Sequence, residues 1–503
     1  MKTASGARAV QIVHSARGGK RDIEHIGSAH TDADLAVLKA AAYQRLAAGQ
    51  GQLDLGLPPD PAVRSGAALP ITATRMGPLL DALACAYQAL GFDRASGRDA
   101  VFAQLVAARI IEPTSKLDAL RVMQEAGMAN VPSYRTLTRH LPAYAKPAFA
   151  AALSRACAAH AQLGPGALVL FDVSTLYFET DVGDGFRQSG FSKERRLEPQ
   201  ITIGLLTDAT GFPLQVNAFE GNKAETATML PVIRAFLAAY QVGEVTVVAD
   251  AGMFSTANKA AIEAAGLSFI LATRHAHVPD VIDQWHRAHP DQDVPDGLTL
   301  TQPWPAGPAD RRRDQVIYYR YSAERARRTL HGIAEQVTKA ERAVAGKTPV
   351  KRNRFVQLTG AKKSVNRALE AKARTLAGWK GYATNLPAAS ADADFIIGSY
   401  HRLLNIEKSF RMSKHDLAAR PIYHHKRESI EAHLTIVFAA LAVSRWIETR
   451  TGWSIKKFVN TARRYRTIEI YADGHTITAA HPLPADLAAA LEAIQAPEDR
   501  GTK

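Results

Sequence analysis

GALVLFDVSTLYFE, residues 166–179, is a largely apolar run interrupted by one acid, Asp172, and closed by another, Glu179. Val, Leu and Phe in close succession favour a strand buried on both faces, where branched and aromatic side chains pack against neighbours. Two further strand-like runs follow, QITIGLLTDATG (200–211) and FPLQVNAFE (212–220), set apart by turn residues. A helical stretch over 224–240 leads to EVTVVADAG (244–252), then a helix over 255–265 and the strand LSFILATR (267–274). The order β-β-β-α-β-α-β predicts an α/β domain on a mixed sheet whose first three strands meander.

Upstream, residues 7–27 alternate apolar and polar around Gly18-Gly19 and predict a β-hairpin. Helical patterns follow over 33–48, 78–90, 96–108, 115–125, 133–141 and 147–162, punctuated by Pro113, Gly127 and Pro132. Two of them, 115–125 and 133–141, have the layout of a helix-turn-helix. The second carries Tyr134, Arg135, Thr138, Arg139 and His140, and Arg135 and Arg139 are candidates for contact with DNA. Packing alone explains such a pair of helices equally well. Downstream, residues 275–385 interrupt the α/β order with Pro- and Asp-rich loops, a strand over 314–322 and a charged helix over 323–345. Helices resume over 392–417 and 427–449, and the chain closes with a hairpin (466–480) and an amphipathic helix (484–494). The expected division is a hairpin (1–30), a helical DNA-binding region (31–163), the core in two parts (164–274 and 386–450), a basic insertion domain (275–385) and a C-terminal region (451–503).

Of 503 residues 47% are hydrophobic and 22% charged, which excludes wholesale disorder. Two cysteines, Cys85 and Cys157, exclude a disulfide framework or a cysteine-built zinc site. The charged N-terminal stretch does not read as a signal peptide, and the longest apolar run, near 434–444, is about half a membrane span. A soluble, cytoplasmic protein with no membrane partner is expected. The net charge is +14, and residues 311–380 hold 19 Lys+Arg against 5 Asp+Glu, so the rest of the chain is balanced. Such concentration is the footprint of a polyanion binder, with Arg311, Arg312, Arg313, Arg325, Arg327 and Arg328 as candidate DNA contacts. The competing reading is a solvated helical face or a basic loop.

Asp172 and Asp250 stand at corresponding points of two strand-like runs, LVLF and VTVVA. Each alone reads as an aspartate accepting loop hydrogen bonds. Together in one sheet they suit a hard divalent cation, which prefers carboxylate oxygens and keeps positions open for water and phosphate. On the helix expected over 392–417, Leu403, Ile406, Phe410 and Leu417 make an apolar stripe. Glu407 borders it, with Arg411 at i+4, Lys414 at i+7 and Tyr400 at i−7. An i,i+4 ion pair worth ~0.2–0.5 kcal/mol accounts for Glu407 and Arg411 but not for Tyr400.

These blocks, with GFSKERRLEPQITIGLLTDATGFPLQVNAFEGNKAETATMLPVI and YHRLLNIEKSFRMSKHDLAARPIYHHKRESIEAHL, resemble the DDE transposases of bacterial insertion sequences over about residues 168–448. The resemblance implies an RNase H-like mixed-sheet catalytic core with an α-rich N-terminal region and a basic insertion domain. Tyr400, Glu407 and Lys414 match that family's tyrosine–arginine–glutamate–lysine signature. Leu403 stands at the arginine position, and Arg402 and Arg411 are the candidates to replace it. Asp172, Asp250 and Glu407 would be the catalytic, metal-binding triad for two Mg2+ ions, with Mn2+ an alternative. Asn222, Lys223 and Glu225 belong to a recurrent motif of the family, whereas Glu179, Asp181 and Asp184 are expected in an exposed turn. Implied partners are double-stranded DNA, both terminal inverted repeats and target, and a second copy of the chain in a dimeric synaptic complex, acting at the nucleoid. A catalytically inactive DNA-binding regulator and an RNase H-type structure-specific nuclease are the competing functions.

Overall fold

A computed structural model describes residues 8–15, 21–29, 31–47, 70–164, 166–179, 182–190, 198–223, 228–240, 245–250, 256–273, 277–306, 313–349, 353–359, 362–420, 422, 424–472 and 475–497. The chain forms two compact units, Met1–Leu69 and Pro70–Lys503. In the first, strands Arg8–Ser15 and Arg21–Ala29 pair antiparallel, with a bulge between Val10 and Gln11. Helix Asp32–Ala47 packs on this hairpin and begins with a reciprocal cap: Asp34 N–H donates to Thr31 Oγ1 at 3.1 Å, and Thr31 N–H to Asp34 Oδ2 at 3.3 Å. The Gly18-Gly19 turn lies outside the described residues.

The second unit is organised by an eight-stranded sheet. Its order is Pro213–Glu220, Gln200–Asp208, Ala167–Tyr177, Val245–Ala249, Ser268–Ala272, Trp379–Thr384, Gln315–Tyr321, Thr299–Trp304. The first three strands are antiparallel, and Val245–Ala249 lies parallel to both of its neighbours. The mixed sheet and the meander of its first three strands match the order read from the sequence. The strands beyond Ser268–Ala272 come from the interrupting segment and join antiparallel, so that segment extends the same sheet.

Two elements of the second unit stand where loops are expected from the sequence. Helix Asp280–Ala288 keeps Asp280 and Asp283 in its first turn and His286 and Arg287 in its last, complementing the helix dipole. Strand Thr299–Trp304 forms the sheet edge, which tolerates Pro303. The expected helix over 392–417 is in fact three pieces: Ala393–His401, Leu403–Arg411 and a π-helical turn, Met412–Asp416. A further strand, Ile71–Arg75, pairs with Thr467–Ala472, which also pairs with His475–Ala480.

Helix Arg427–Thr451 runs through the core and packs against Ala100–Ile111, Tyr134–Tyr144 and strand Pro213–Glu220. By length and composition it suits a membrane span, but 89% of its most apolar window is buried within the protein. It is a core helix, and its apolar surface is satisfied by the helices and sheet around it.

Candidate active site

The site begins with strand register. Ala167–Tyr177 and Val245–Ala249 are parallel, with Leu168 opposite Thr246 and Leu170 opposite Val248. Carried on by two residues, the register sets Asp172 level with Asp250, on strands roughly 4.8 Å apart. Asp172 is half-buried, and its Oδ1 accepts the Val173 backbone N–H at 2.8 Å. Asp250 follows five buried residues and is itself exposed. The sheet thus sets two carboxylates side by side, one within a strand and one just past the end of its neighbour.

Tyr400, buried near the end of helix Ala393–His401, donates its hydroxyl to Asp250 Oδ1 at 2.5 Å. Burial, and then this bond to a carboxylate, push its pKa far above the ordinary value, so the phenol stays protonated. Glu407 also acts on Tyr400 electrostatically, which brings the third carboxylate into the same neighbourhood. Its helix, Leu403–Arg411, packs on the Asp172 strand and turns Leu403, Ile406 and Phe410 inward while Glu407 stays exposed.

Two side chains of that helix fasten it to the turn between Gln200–Asp208 and Pro213–Glu220. Asn405 Nδ2 donates to the Ala209 carbonyl at 3.0 Å, and Ser409 Oγ to the Gly211 carbonyl at 2.7 Å. The turn is itself fixed, because Asp208 Oδ1 accepts the backbone N–H groups of Thr210 and Phe212 at 2.8 and 2.9 Å.

Lys380 is the residue that sequence reasoning missed. It is the one residue of Trp379–Thr384 that is not buried, and its Nζ lies 4.2 Å from the Tyr400 ring centroid. Burial lowers its pKa and Arg325 lowers it further, while Asp250 and Glu407 act to raise it. A lone lysine in an otherwise apolar strand was the available signal. Arg325, at the start of helix Ala323–Val344, donates to the Gly378 carbonyl at 3.2 Å and acts on Lys380 electrostatically. His401 also faces this positive field: burial, then Lys380, Arg325 and Arg320, lower its pKa.

The other expected residues are spread more widely. Leu403 is buried and packs where the signature would place an arginine; Arg402 and Arg411 are exposed. Lys414 sits half-buried in the π-turn, where Leu417 N–H bonds the Met412 carbonyl. That wider turn breaks the seven-residue alignment expected of Tyr400, Glu407 and Lys414. Arg313 is exposed, with its backbone N–H on Glu263 Oε2 at 3.3 Å. Arg327 and Arg328 are exposed on helix Ala323–Val344, Arg328 pairing with Glu324 at 3.4 Å. Arg135 and Arg139 lie on the outer face of Tyr134–Tyr144, whose Leu137, Leu141 and Tyr144 are buried.

His140 of that helix turns inward instead, its Nδ1 3.1 Å from Asp99 Oδ2. Asn222 is exposed, and Lys223 lies 3.7 Å from Glu220. Glu179 is exposed, and so is Asp184, which accepts the backbone N–H groups of Phe186 and Arg187 at 2.8 and 2.6 Å. Burial would raise the Asp184 pKa, but these bonds and Arg187 outweigh it and hold it low. Arg311, Arg312, Asp181 and Glu225 lie outside the described residues.

A meander of three strands followed by two parallel ones, with acids in register at one end, defines an RNase H-like core. The family model described as "Transposase DDE domain" matches residues 164–443, more than half of the chain. The chain belongs to the DDE transposase family. Seven chains of solved structures also match. One, described as "Cryo-EM structure of piggyBac transposase synaptic complex with hairpin DNA", is similar at 12% identity and a TM-score of 0.40, covering 72% of this chain and 69% of that one. Comparison with curated proteins gives no match.

Proposed function

We propose that this transposase cuts DNA at the ends of a mobile element and joins the freed 3′ ends to target DNA, with Asp172, Asp250 and Glu407 as its catalytic carboxylates. The observation that carries the reading is the Tyr400–Asp250 bond, with Asp172 in register beside it and Glu407 acting on the same tyrosine. The donor set fits a hard divalent cation, since all three groups offer carboxylate oxygens. As the side chains stand, among the described residues no three His, Cys, Asp or Glu are gathered closely enough to hold a metal. The three carboxylates therefore have to draw together to share an ion.

Two magnesium or manganese ions, when bound, would activate the attacking water and stabilise the leaving 3′ oxygen. The protein's own part is placement. The sheet fixes the aspartates, and Asn405 and Ser409 hold the Glu407 helix against it. Tyr400 orients Asp250 through its hydroxyl. Arg411 and Lys414 offer cations to the neighbouring backbone, and the basic segment grips the duplex over a longer stretch. Pairing two element ends calls for two copies of the chain, so the working species is a dimer on DNA, in the cytoplasm at the nucleoid.

A strand-transfer assay tests this. A labelled, pre-cut duplex end is incubated with the protein, magnesium and a target plasmid. The expected product is the label covalently joined to the plasmid. Hydrolysis without joining would make the protein a nuclease, and binding with neither reaction would make it a regulator.

A further inference from the structure

We propose that Lys380 is a substrate-contacting residue of this site, donating hydrogen bonds to a non-bridging oxygen of the scissile phosphate. The inference rests on the reading above, that the carboxylates form a phosphodiester-cleaving centre. Strand topology puts the lysine at the right end of the sheet. Ala249 pairs with Leu271, and Tyr382 with Ala272, so Asp250 is level with Tyr382. Lys380 lies two residues further on, beyond the C-terminal end of the parallel strands and on the same strand face as Tyr382.

The ammonium is held without using its donors. Its Nζ lies 4.2 Å from the Tyr400 ring centroid and 5.8 Å from that of Tyr382, in cation–π contact with both. The Tyr400 hydroxyl holds Asp250, so the lysine and the aspartate are fixed by two parts of one side chain. Among the described residues none accepts a hydrogen bond from the ammonium or pairs with it as an ion, so its three N–H groups point to no protein acceptor.

A lysine serving only to neutralise Asp250 or Glu407 would pair with one of them directly. This one lies over the ring of the tyrosine that holds Asp250. A phosphodiester entering between two carboxylates is repelled by them, and a fixed cation with open donors offsets that repulsion where charge builds during reaction. Lys380 keeps its proton throughout: the water oxygen bonds to phosphorus as the bond to the leaving 3′ oxygen breaks, the water gives up its proton to solvent, and the 3′ oxygen takes one from solvent.

The test uses the full-length chain, Lys380→Met, Lys380→Arg and a duplex spanning one boundary of the DNA segment that carries the gene. In the first arm, without metal, lysine acylation is mapped by mass spectrometry with and without the duplex. Bound duplex is expected to protect Lys380 severalfold, and high salt to remove the protection. Equal labelling with and without DNA overturns the proposal, whatever the protein then does with metal.

In the second arm, single-turnover cleavage is followed at saturating protein. Lys380→Met is expected to cut about 100-fold more slowly while binding the duplex nearly as well, and Lys380→Arg to recover much of the rate. A Met variant that cuts at the wild-type rate, or whose loss is confined to binding, overturns it. If the wild type binds but cuts nothing, the carboxylate reading fails, and the footprint still decides whether Lys380 meets DNA. If Lys380→Met does not fold, the footprint and Lys380→Arg carry the decision.

Discussion

Tyr400 and Asp250 are 150 residues apart in the chain and share a hydrogen bond of 2.5 Å. The acids were legible, since each ends or interrupts a run of buried strand residues, a context in which a carboxylate is costly unless it has work or partners. Their partners were not. No pattern in WKGYAT announces that Lys380 will lie over a tyrosine 20 positions later, because that contact follows from antiparallel register. A second buried group was equally hidden. His433 in the core helix donates from Nε2 to the Ala419 carbonyl at 3.2 Å, so its Nδ1 accepts from Lys116 Nζ at 3.4 Å.

Burial, then the Lys116 and Arg109 charges, hold the His433 pKa well below its ordinary value. Its neighbour His424 is pushed down to about 4 by the same causes. Unfolded, both titrate near ~6.5, so below that pH the unfolded chain binds more protons than the folded one. Stability from these histidines is therefore full above about pH 6.5 and is lost as the pH falls toward 4. The melting temperature should drop across that window, and His424→Gln should make the drop shallower. An unchanged pH profile in the variant would remove His424 from the account.

Among elements, the Glu407 helix is the most instructive. Its apolar stripe correctly indicated a helix with Glu407 at the boundary. The breaks at Arg402 and in the π-turn were invisible because Leu, Ile, Phe and Met continue a helical period through both. What sets the helix in place is a turn two hundred residues earlier. Gly211 has φ +87°, and a Cβ there would lie 2.7 Å from the Asn405 carbonyl oxygen.

Gly211→Ala should therefore cost about 1–3 kcal/mol in left-handed strain alone. It should also push the helix away from the aspartates. Denaturant unfolding should show the loss, and cleavage should fall more than DNA binding. Wild-type stability and cleavage in this variant would mean that the turn does not position Glu407. Strand Ile71–Arg75 was missed for a related reason: its residues are largely exposed, and it exists through pairing with Thr467–Ala472, far along the chain.

At the scale of the whole molecule, the charge excess of residues 311–380 accompanies three strands added to the sheet that carries Asp172: one precedes the segment, one lies within it and one overlaps its end. Composition located the charge, but not the fact that its carrier shares the sheet with Asp172 and Asp250. Part of that charge is used internally: Arg367 and Arg374 pair with Glu370 at 2.6 and 2.9 Å. Arg313, Arg327 and Arg328 are exposed. Replacing all three with glutamine should flatten the salt dependence of duplex binding by about 0.9 in logarithmic slope for each phosphate no longer neutralised. An unchanged slope would return these residues to a solvated surface.

That three carboxylates drawn from distant parts of the chain do the chemistry is tested most directly by Glu407→Gln. The substitution removes one charge from an exposed helix position and leaves the packing of Ile406 and Phe410 intact. With magnesium and duplex DNA carrying the element end, the variant should bind like the wild type and show no strand cleavage. Cleavage at the wild-type rate would contradict the account.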